Sequence, residues 1–312
     1  MPEEAIPMIT ALVCTRNRGS SIVGTLLSIF ANTHPNFEIF VVDQSMGEET
    51  ACAVLPFLAD PRLRYVHRSE QGVGRARNLG IQEARGEILA LTDDDCEVPA
   101  HWLETMAAVF AENPTVAVAF CNVEAAVHNT GLGFIPAYSR IGSKLLSGSW
   151  DKCAARGIGA GIALRRDIIL ALGGFDERMG PGAEFPACEE GDLAVRVLLC
   201  GYGVYETDAV AVRHSGFRTW EEGKLLARRD WIGIGAAYAK PLKCGYWRFA
   251  VVPAYELLRF AVWPPLWDLL RFRRPRGLGR IAAFFQGFIR GWRTPIDPKT
   301  LLFLPSGQRM KD

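Results

Sequence analysis

Leu89-Ala-Leu-Thr-Asp-Asp-Asp-Cys-Glu97 carries an apolar run straight into three consecutive carboxylates, Asp93, Asp94 and Asp95. Adjacent negative charges repel, so at the mouth of a sheet they are tolerable only when solvated or neutralised by a bound cation. Hard oxygen ligands of this kind suit magnesium or manganese carrying a diphosphate. Taken alone, the triplet reads equally well as a solvated acidic turn after a strand. Its surroundings have to decide.

Upstream and just downstream, residues 8–124 alternate short apolar runs with helical spacing, the signature of repeated βα units and a mostly parallel sheet. The spacing predicts strands over 8–15, 37–42, 63–66 and 88–91. It predicts helices over 21–31, with Ile22, Leu26, Ile29 and Phe30 on the buried side, over about 48–58, and from Gly72-Val-Gly74 through Ala84. A helix over 101–112 and a strand over 116–120 follow, and then clear periodicity is lost over 125–156. It resumes with Gly157-Ile-Gly-Ala-Gly161, a strand over 162–164, a helix over 167–172, Gly173-Gly-Phe-Asp176, a helix over 190–200 and a strand over 209–213. Beyond about Thr219 the composition shifts toward tryptophan, arginine and proline at helical spacing. The expected organisation is an α/β unit over 1–218 followed by a helical C-terminal extension over 219–312.

Composition supports a folded enzyme-sized chain. Of 312 residues, 49% are hydrophobic and 22% charged, near the globular average, which excludes disordered and fibrous classes. The net charge of +1 provides no global field for nucleic acid, so none is expected as a partner. The eight cysteines are scattered without a Cys-x-x-Cys pair or zinc-like spacing and read as thiols of a reducing compartment. Met-Pro-Glu-Glu-Ala-Ile-Pro at the N-terminus lacks a basic region and an apolar core, so it does not read as a secretory signal, and the expected location is cytoplasmic. Residues 249–270 are apolar but interrupted by Glu256, Arg259, Asp268 and three prolines, a poor spanning helix. With Trp247, Trp263, Trp267 and Arg271-Phe-Arg-Arg-Pro-Arg276, this segment reads either as an interfacial element on an anionic bilayer surface or as an ordinary packed helix pair.

In open α/β sheets ligands bind at the carboxyl edge of the strands. Asp43 ends the second strand there and the triplet ends the fourth, so one carboxylate can read a base while others hold a metal. Val13-Cys-Thr-Arg-Asn-Arg18 ends the first strand at the same edge, and Thr15, Arg16 and Arg18 offer hydroxyl and guanidinium donors to a nucleotide. Farther on, Pro186-Ala-Cys-Glu-Glu-Gly-Asp-Leu193 opens a helix with Glu189, Glu190 and Asp192, and a strand ends at His214. Acids at a helix start are common capping devices and a lone histidine is commonly structural. Only their combination with the triplet argues for chemistry.

Taken in order, Cys-Thr-Arg-Asn-Arg, Val-Val-Asp43-Gln-Ser, Gly-Arg-Ala-Arg-Asn78-Leu-Gly-Ile, the Asp triplet, Gly-Gly-Phe-Asp-Glu177 and Glu-Glu-Gly-Asp-Leu193 resemble the family 2 glycosyltransferases over roughly residues 8–220. The resemblance implies a GT-A fold, with a Rossmann-like, mostly parallel sheet flanked by helices, and a nucleoside-diphosphate-sugar donor with Mg2+ or Mn2+. It makes Asp43 the partner of the nucleobase, Arg77 a donor-site residue, and Asp93 and Asp94 contacts to ribose or metal-bound water. Asp95 becomes the direct metal ligand, beside Asp93 and His214, and Arg218 neutralises the departing diphosphate. Glu-Glu-Gly-Asp matches the family's Glu-Asp-x-Asp pattern, which seats Glu190 as general base, with Glu189 and Asp192 as alternatives because glutamate stands where aspartate is commoner. The implied reaction is a single inverting displacement.

A dinucleotide-dependent oxidoreductase is disfavoured because Gly72-Val-Gly74 lacks the third glycine and does not follow the first strand. A metal-dependent sugar nucleotidyltransferase would need a glycine-rich triphosphate loop where this chain has Thr-Arg-Asn-Arg-Gly-Ser-Ser. A non-catalytic nucleotide- or sugar-binding protein would have no use for an intact triplet, acid cluster and histidine together. Without channel segments, transfer of one sugar per encounter is expected, to a glycan or lipid-linked acceptor, with the tail touching the inner face of the cell membrane.

Overall fold

The computed structural model describes residues 6–305; residues 1–5, within the stretch read for a leader, and 306–312 lie outside the described residues. The strands are β1 (Ile9–Thr15), β2 (Phe37–Asp43), β3 (Leu63–His67), β4 (Ile88–Asp93), β5 (Cys96–Glu97), β6 (Val116–Ala125), β7 (Gly133–Phe134), β8 (Lys144–Leu146), β9 (Ile162–Arg165), β10 (Gly203–His214) and β11 (Arg218–Thr219). The helices are α1 (Ile22–Phe30), α2 (Glu49–Val54), α3 (Val73–Glu83), α4 (Trp102–Glu112), α5 (Arg166–Ala171), α6 (Glu189–Leu199), α7 (Trp220–Lys243), α8 (Val251–Glu256), α9 (Trp263–Leu270) and α10 (Gly279–Arg293).

Strands β1, β2 and β4 are apolar along nearly their whole length because helices cover both faces of the sheet; every residue of β2 is buried. One core cluster joins the sheet to Ile22 and Leu26 of α1 and Trp102, Met106 and Phe110 of α4. The opposite face packs on Ala76 and Ile81 of α3, Ile169 of α5 and Leu193 and Val197 of α6. A third cluster joins Met179, Phe185 and Val195 to Trp231, Tyr238, Val252 and Phe284 of the C-terminal helices. There α7 and α10 approach until a Cβ at Gly235 or Gly287 would collide with the facing helix's carbonyl.

The main sheet runs β3-β2-β1-β4-β9-β6-β10-β5, with β8 also on β10. Its β3-β2-β1-β4 half is parallel, as is the β6–β10 pair. Strand β9 enters antiparallel between β4 and β6, so the sheet is more mixed than the βα rhythm alone predicts. It arrives from the long 125–161 segment and not through a crossover helix, which frees its direction. The chain leaves β1 for β2 on one side and later returns to β4 on the other. The β1/β4 carboxyl ends are therefore a topological switch point, and the Asp triplet stands on it.

Two readings of the sequence change here. The strand expected over 209–213 begins at Gly203, and an irregularity between Thr207 and Ala211 breaks its pattern. The apolar stretch over 249–270 divides into a short turn, α8, a π-helical segment over Leu257–Val262 and α9. Pro264 and Pro265 supply no N–H to the carbonyls four residues back, and that of Phe260 accepts Arg280 Nη1 at 2.8 Å. Among the described residues no helix is long and apolar enough to cross a membrane.

Candidate active site

The β1 and β4 ends face the start of α6 across a cavity of about 580 Å³. Thr15, Arg16, Arg18, Asp93, Asp94, Asp95, Glu189, Glu190, His214 and Arg218, all singled out in the sequence, line it. Three others, Asp43, Arg77 and Asp192, do not.

The triplet divides its labour. Arg18 reaches Asp94 Oδ1 through Nε and Asp95 Oδ2 through Nη2, both at 3.3 Å. Burial pushes the Asp94 carboxyl up to about 6 even with Arg18 beside it. Burial also works to raise Asp95, but His214, Arg18 and Arg218 outweigh it and hold that carboxyl below the usual range. For Asp93, burial dominates and lifts the carboxyl, with the Arg77 charge opposing. Of the three, Asp95 is thus the one held most firmly as a carboxylate.

Asp93, Asp95, Cys96 and His214 each bring a ligand atom to within 4.8 Å of one another. Two ligands of a Mg2+-sized ion lie at most about 4.2 Å apart, so a small closure would seat one. His214 Nδ1 donates to the Pro136 carbonyl at 2.8 Å, which turns the Nε2 lone pair of the neutral ring toward Asp95 Oδ1, 3.2 Å away. Two lone pairs face to face require a proton or a cation between them. Burial disfavours the imidazolium, yet Asp95 and the Pro136 carbonyl raise His214 above its ordinary value. Space for a cation comes from Gly216, whose added Cβ would stand 2.6 Å from His214 Nε2 and 2.8 Å from Asp95 Oδ2. Burial holds the Cys96 thiol protonated, so the oxygens and the imidazole are the donors. This set fits a hard divalent ion, and the buried Arg16 Nε, without a hydrogen-bond partner, fits an anionic group beside it.

On the opposite wall, α6 starts from Cys188 at φ 72°, a left-handed residue that swings Glu189 and Glu190 toward the cavity. Arg77 Nη1 donates to Oε1 of both glutamates at 3.1 Å. Burial and the Glu190 charge push Glu189 up to about 8. Its side chain is 5% exposed against 19% for Glu190, so Glu190 is the more open of the two acids.

The remaining three candidates stand behind the cavity lining. Asp43 is fully buried; Oδ1 accepts the Ser45 N–H at 2.8 Å and Oδ2 the Tyr65 hydroxyl at 2.7 Å, while the neighbouring Gln44 lines the cavity. Arg77 stands behind the glutamates and over the Phe175 ring, so what it touches is the acids. Asp192 faces inward to Arg196 at 3.0 Å and Lys240 at 2.6 Å, away from the cavity lining. In the Gly-Gly-Phe-Asp motif the Asn78 side chain brackets the Phe175 backbone, and Asp176 pairs with Lys240.

Sequence reading missed Asp230, which reaches the cavity from α7 beside Leu226. Burial and the charge of Glu190 push its carboxyl up to about 6. No spacing signal links a residue in the extension to motifs so far upstream; only the i, i+4 relation to Leu226 marks the face.

The family described as Glycosyl transferase family 2 matches residues 10–173, just over half of the chain. This chain belongs to glycosyltransferase family 2. An uncharacterized glycosyltransferase of Rickettsia felis is 31% identical over 87 residues, 28% of this chain and only 14% of that protein's length. The glucosyl-dolichyl phosphate glucuronosyltransferase of Haloferax volcanii is 26% identical over 235 residues, 72% of this chain and 75% of its own. Among solved structures, the mannosyltransferase PcManGT of Pyrobaculum calidifontis, in complex with GDP-Man and Mn2+, superposes with a TM-score of 0.62 at 21% identity, covering 89% of this chain and 74% of the other. The fold of this family 2 member is GT-A, with a helical C-terminal part.

Proposed function

We propose that this chain is an inverting hexosyltransferase that moves a sugar from a nucleoside-diphosphate-sugar to an acceptor hydroxyl in glycan or glycolipid assembly. One observation carries the reading: a cation-ligand cluster flanked by arginines and a carboxylate clamped by Arg77 face each other across a single cavity at the sheet's switch point. The Mn2+ and GDP-Man of the Pyrobaculum structure support a nucleotide-sugar donor and a divalent ion.

Asp95, Asp93 and His214 would hold the ion, Mg2+ or Mn2+, which when bound stabilises negative charge on the departing diphosphate. Arg16, Arg18 and Arg218 would bind the phosphate oxygens, and Thr15 and Asp94 would contact ribose or a bound water. Glu190, fixed by Arg77, takes the acceptor proton as the hydroxyl oxygen attacks the anomeric carbon. General-base assistance contributes about 10²- to 10⁴-fold. Exposed Trp263, Trp267, Leu270 and Phe272 beside exposed Arg271, Arg273 and Arg274 support contact with an anionic membrane face.

The test is a donor screen with Mn2+ that reads the released nucleotide. Glu190→Gln is expected to lower kcat by about 10²-fold or more with donor affinity unchanged, and Asp95→Asn to lose Mn2+-dependent donor binding. Release of pyrophosphate in place of nucleoside diphosphate would contradict the proposal and identify a nucleotidyltransferase.

A further inference from the structure

Apart from the donor cavity, a groove of about 930 Å³ opens between α7 and α10, near the upper end of what small-molecule sites offer, about 300–1,000 Å³. Its floor is made of small residues, among them Ala227, Ala282 and Ala283, and one end is closed by Phe134 stacked on Trp220, ring centroids 5.4 Å apart. No aspartate or glutamate lines it, whereas lysine and arginine contribute four cations. Two of these are committed elsewhere: Lys224 to Glu221 and Arg276 to Asp268. Arg228 and Arg280 make no ion pair among the described residues, and Arg280 gives only Nη1 to the Phe260 carbonyl. A mostly apolar trough with two cations unmatched by carboxylates calls for a ligand with an apolar body and an anionic head. The loop that carries Arg276 and Gly277 into the groove also bears the exposed Arg271, Arg273 and Phe272. The mouth is therefore continuous with the basic, aromatic face on which such an amphiphile would be met.

We infer that this groove binds the hydrocarbon chain and phosphate of a single-chain lipid phosphate, the carrier of the acceptor. The assignment rests on the proposed transfer reaction and names its acceptor class. Helix α7 is a shared wall: Ala227 and Arg228 line the groove, while Leu226 and Asp230 line the donor cavity. The two sites thus open on neighbouring faces of one helix, roughly 100° apart.

The test is calorimetric titration of the full chain, below the micelle limit, with hexyl, octyl and decyl phosphate, with decyl glucoside as a neutral control and inorganic phosphate as the head alone. Affinity is expected to rise severalfold per methylene as the chain is buried, and to exceed that of either control at least tenfold. Arg228→Gln with Arg280→Gln should weaken decyl phosphate at least tenfold, and Ala227→Trp, which fills the floor, should do the same. Both variants are expected to keep the wild-type response to Mn2+ and nucleoside diphosphate, which separates this site from the donor reading. No binding of decyl phosphate, equal binding of decyl glucoside, or binding indifferent to both variants would overturn the inference. Loss of nucleotide binding in the wild-type chain would strike the transfer reaction and leave the alkyl phosphate result to be read independently.

Discussion

Asp230 and Glu190 are two acids on one cavity wall, and the charge of one is felt by the other. Because burial and Glu190 raise Asp230 to about 6 in the folded chain, above its ordinary 3.8, the folded state holds that proton more tightly than the unfolded state does. Ionising Asp230 therefore costs stability, which falls as pH climbs from about 4 through 6 and stays lower above that window. Asp230→Asn is expected to raise stability by about 1–3 kcal/mol at pH 7 and by almost nothing at about pH 3, measured by denaturant unfolding at the two values. An equal effect at both would remove the electrostatic account. At this scale the sequence was legible where residues are consecutive. Asp93, Asp94 and Asp95 announce themselves, and Thr15 to Arg18 follow a strand. The partners that make chemistry of them, such as Asp230 or the space left by Gly216, come from distant parts of the chain, and no local pattern marks them.

Among the elements, the 125–156 region shows why periodicity fails where one buried charge organises a segment. Glu206, 1% exposed inside β10, accepts the Arg156 and Gly157 N–H groups at 2.6 and 2.8 Å through Oε1. Through Oε2 it accepts the Tyr138 hydroxyl at 2.8 Å and Arg140 Nη1 at 2.6 Å. A carboxylate in a strand breaks the apolar pattern that would have revealed β10, and the segment it gathers has no repeat of its own. The same clamp presents Gly157 to Ala160 to the donor cavity. Glu206→Ala leaves a partly buried arginine and two backbone donors unmatched, so a loss of about 3–5 kcal/mol is expected. Amide exchange should accelerate over residues 138–157 before the parallel half of the sheet is affected. Uniform exchange across the sheet would contradict the clamp. The βα rhythm of residues 8–112 was legible because each element buries its own face, and the antiparallel entry of β9 was not, because strand direction is set by the connection.

For the molecule as a whole, the composition break near Thr219 marks a change of element type. The structure adds how the two parts hold each other. Lys240 of α7, fully buried, pairs with both Asp176 and Asp192 at 2.6 Å, and the third core is made from residues on either side of the break. Lys240→Met takes the buried Asp176 out of its ion pair and leaves Asp192 to Arg196 alone, and is expected to lower stability by about 3–5 kcal/mol, seen as a single cooperative transition at reduced denaturant midpoint. Two separate transitions would show that the C-terminal helices fold on their own. The account's central claim is that the donor cavity is completed by a cation at Asp95 and His214. Its most direct test is calorimetry of UDP and GDP binding with Mn2+ and again in EDTA, on wild-type protein and Asp95→Asn. The account predicts that one nucleoside diphosphate binds wild-type protein at least tenfold more tightly with Mn2+ than in EDTA, and that Asp95→Asn abolishes the difference. Equal affinity in EDTA, or no binding of either nucleotide under any condition, would contradict it.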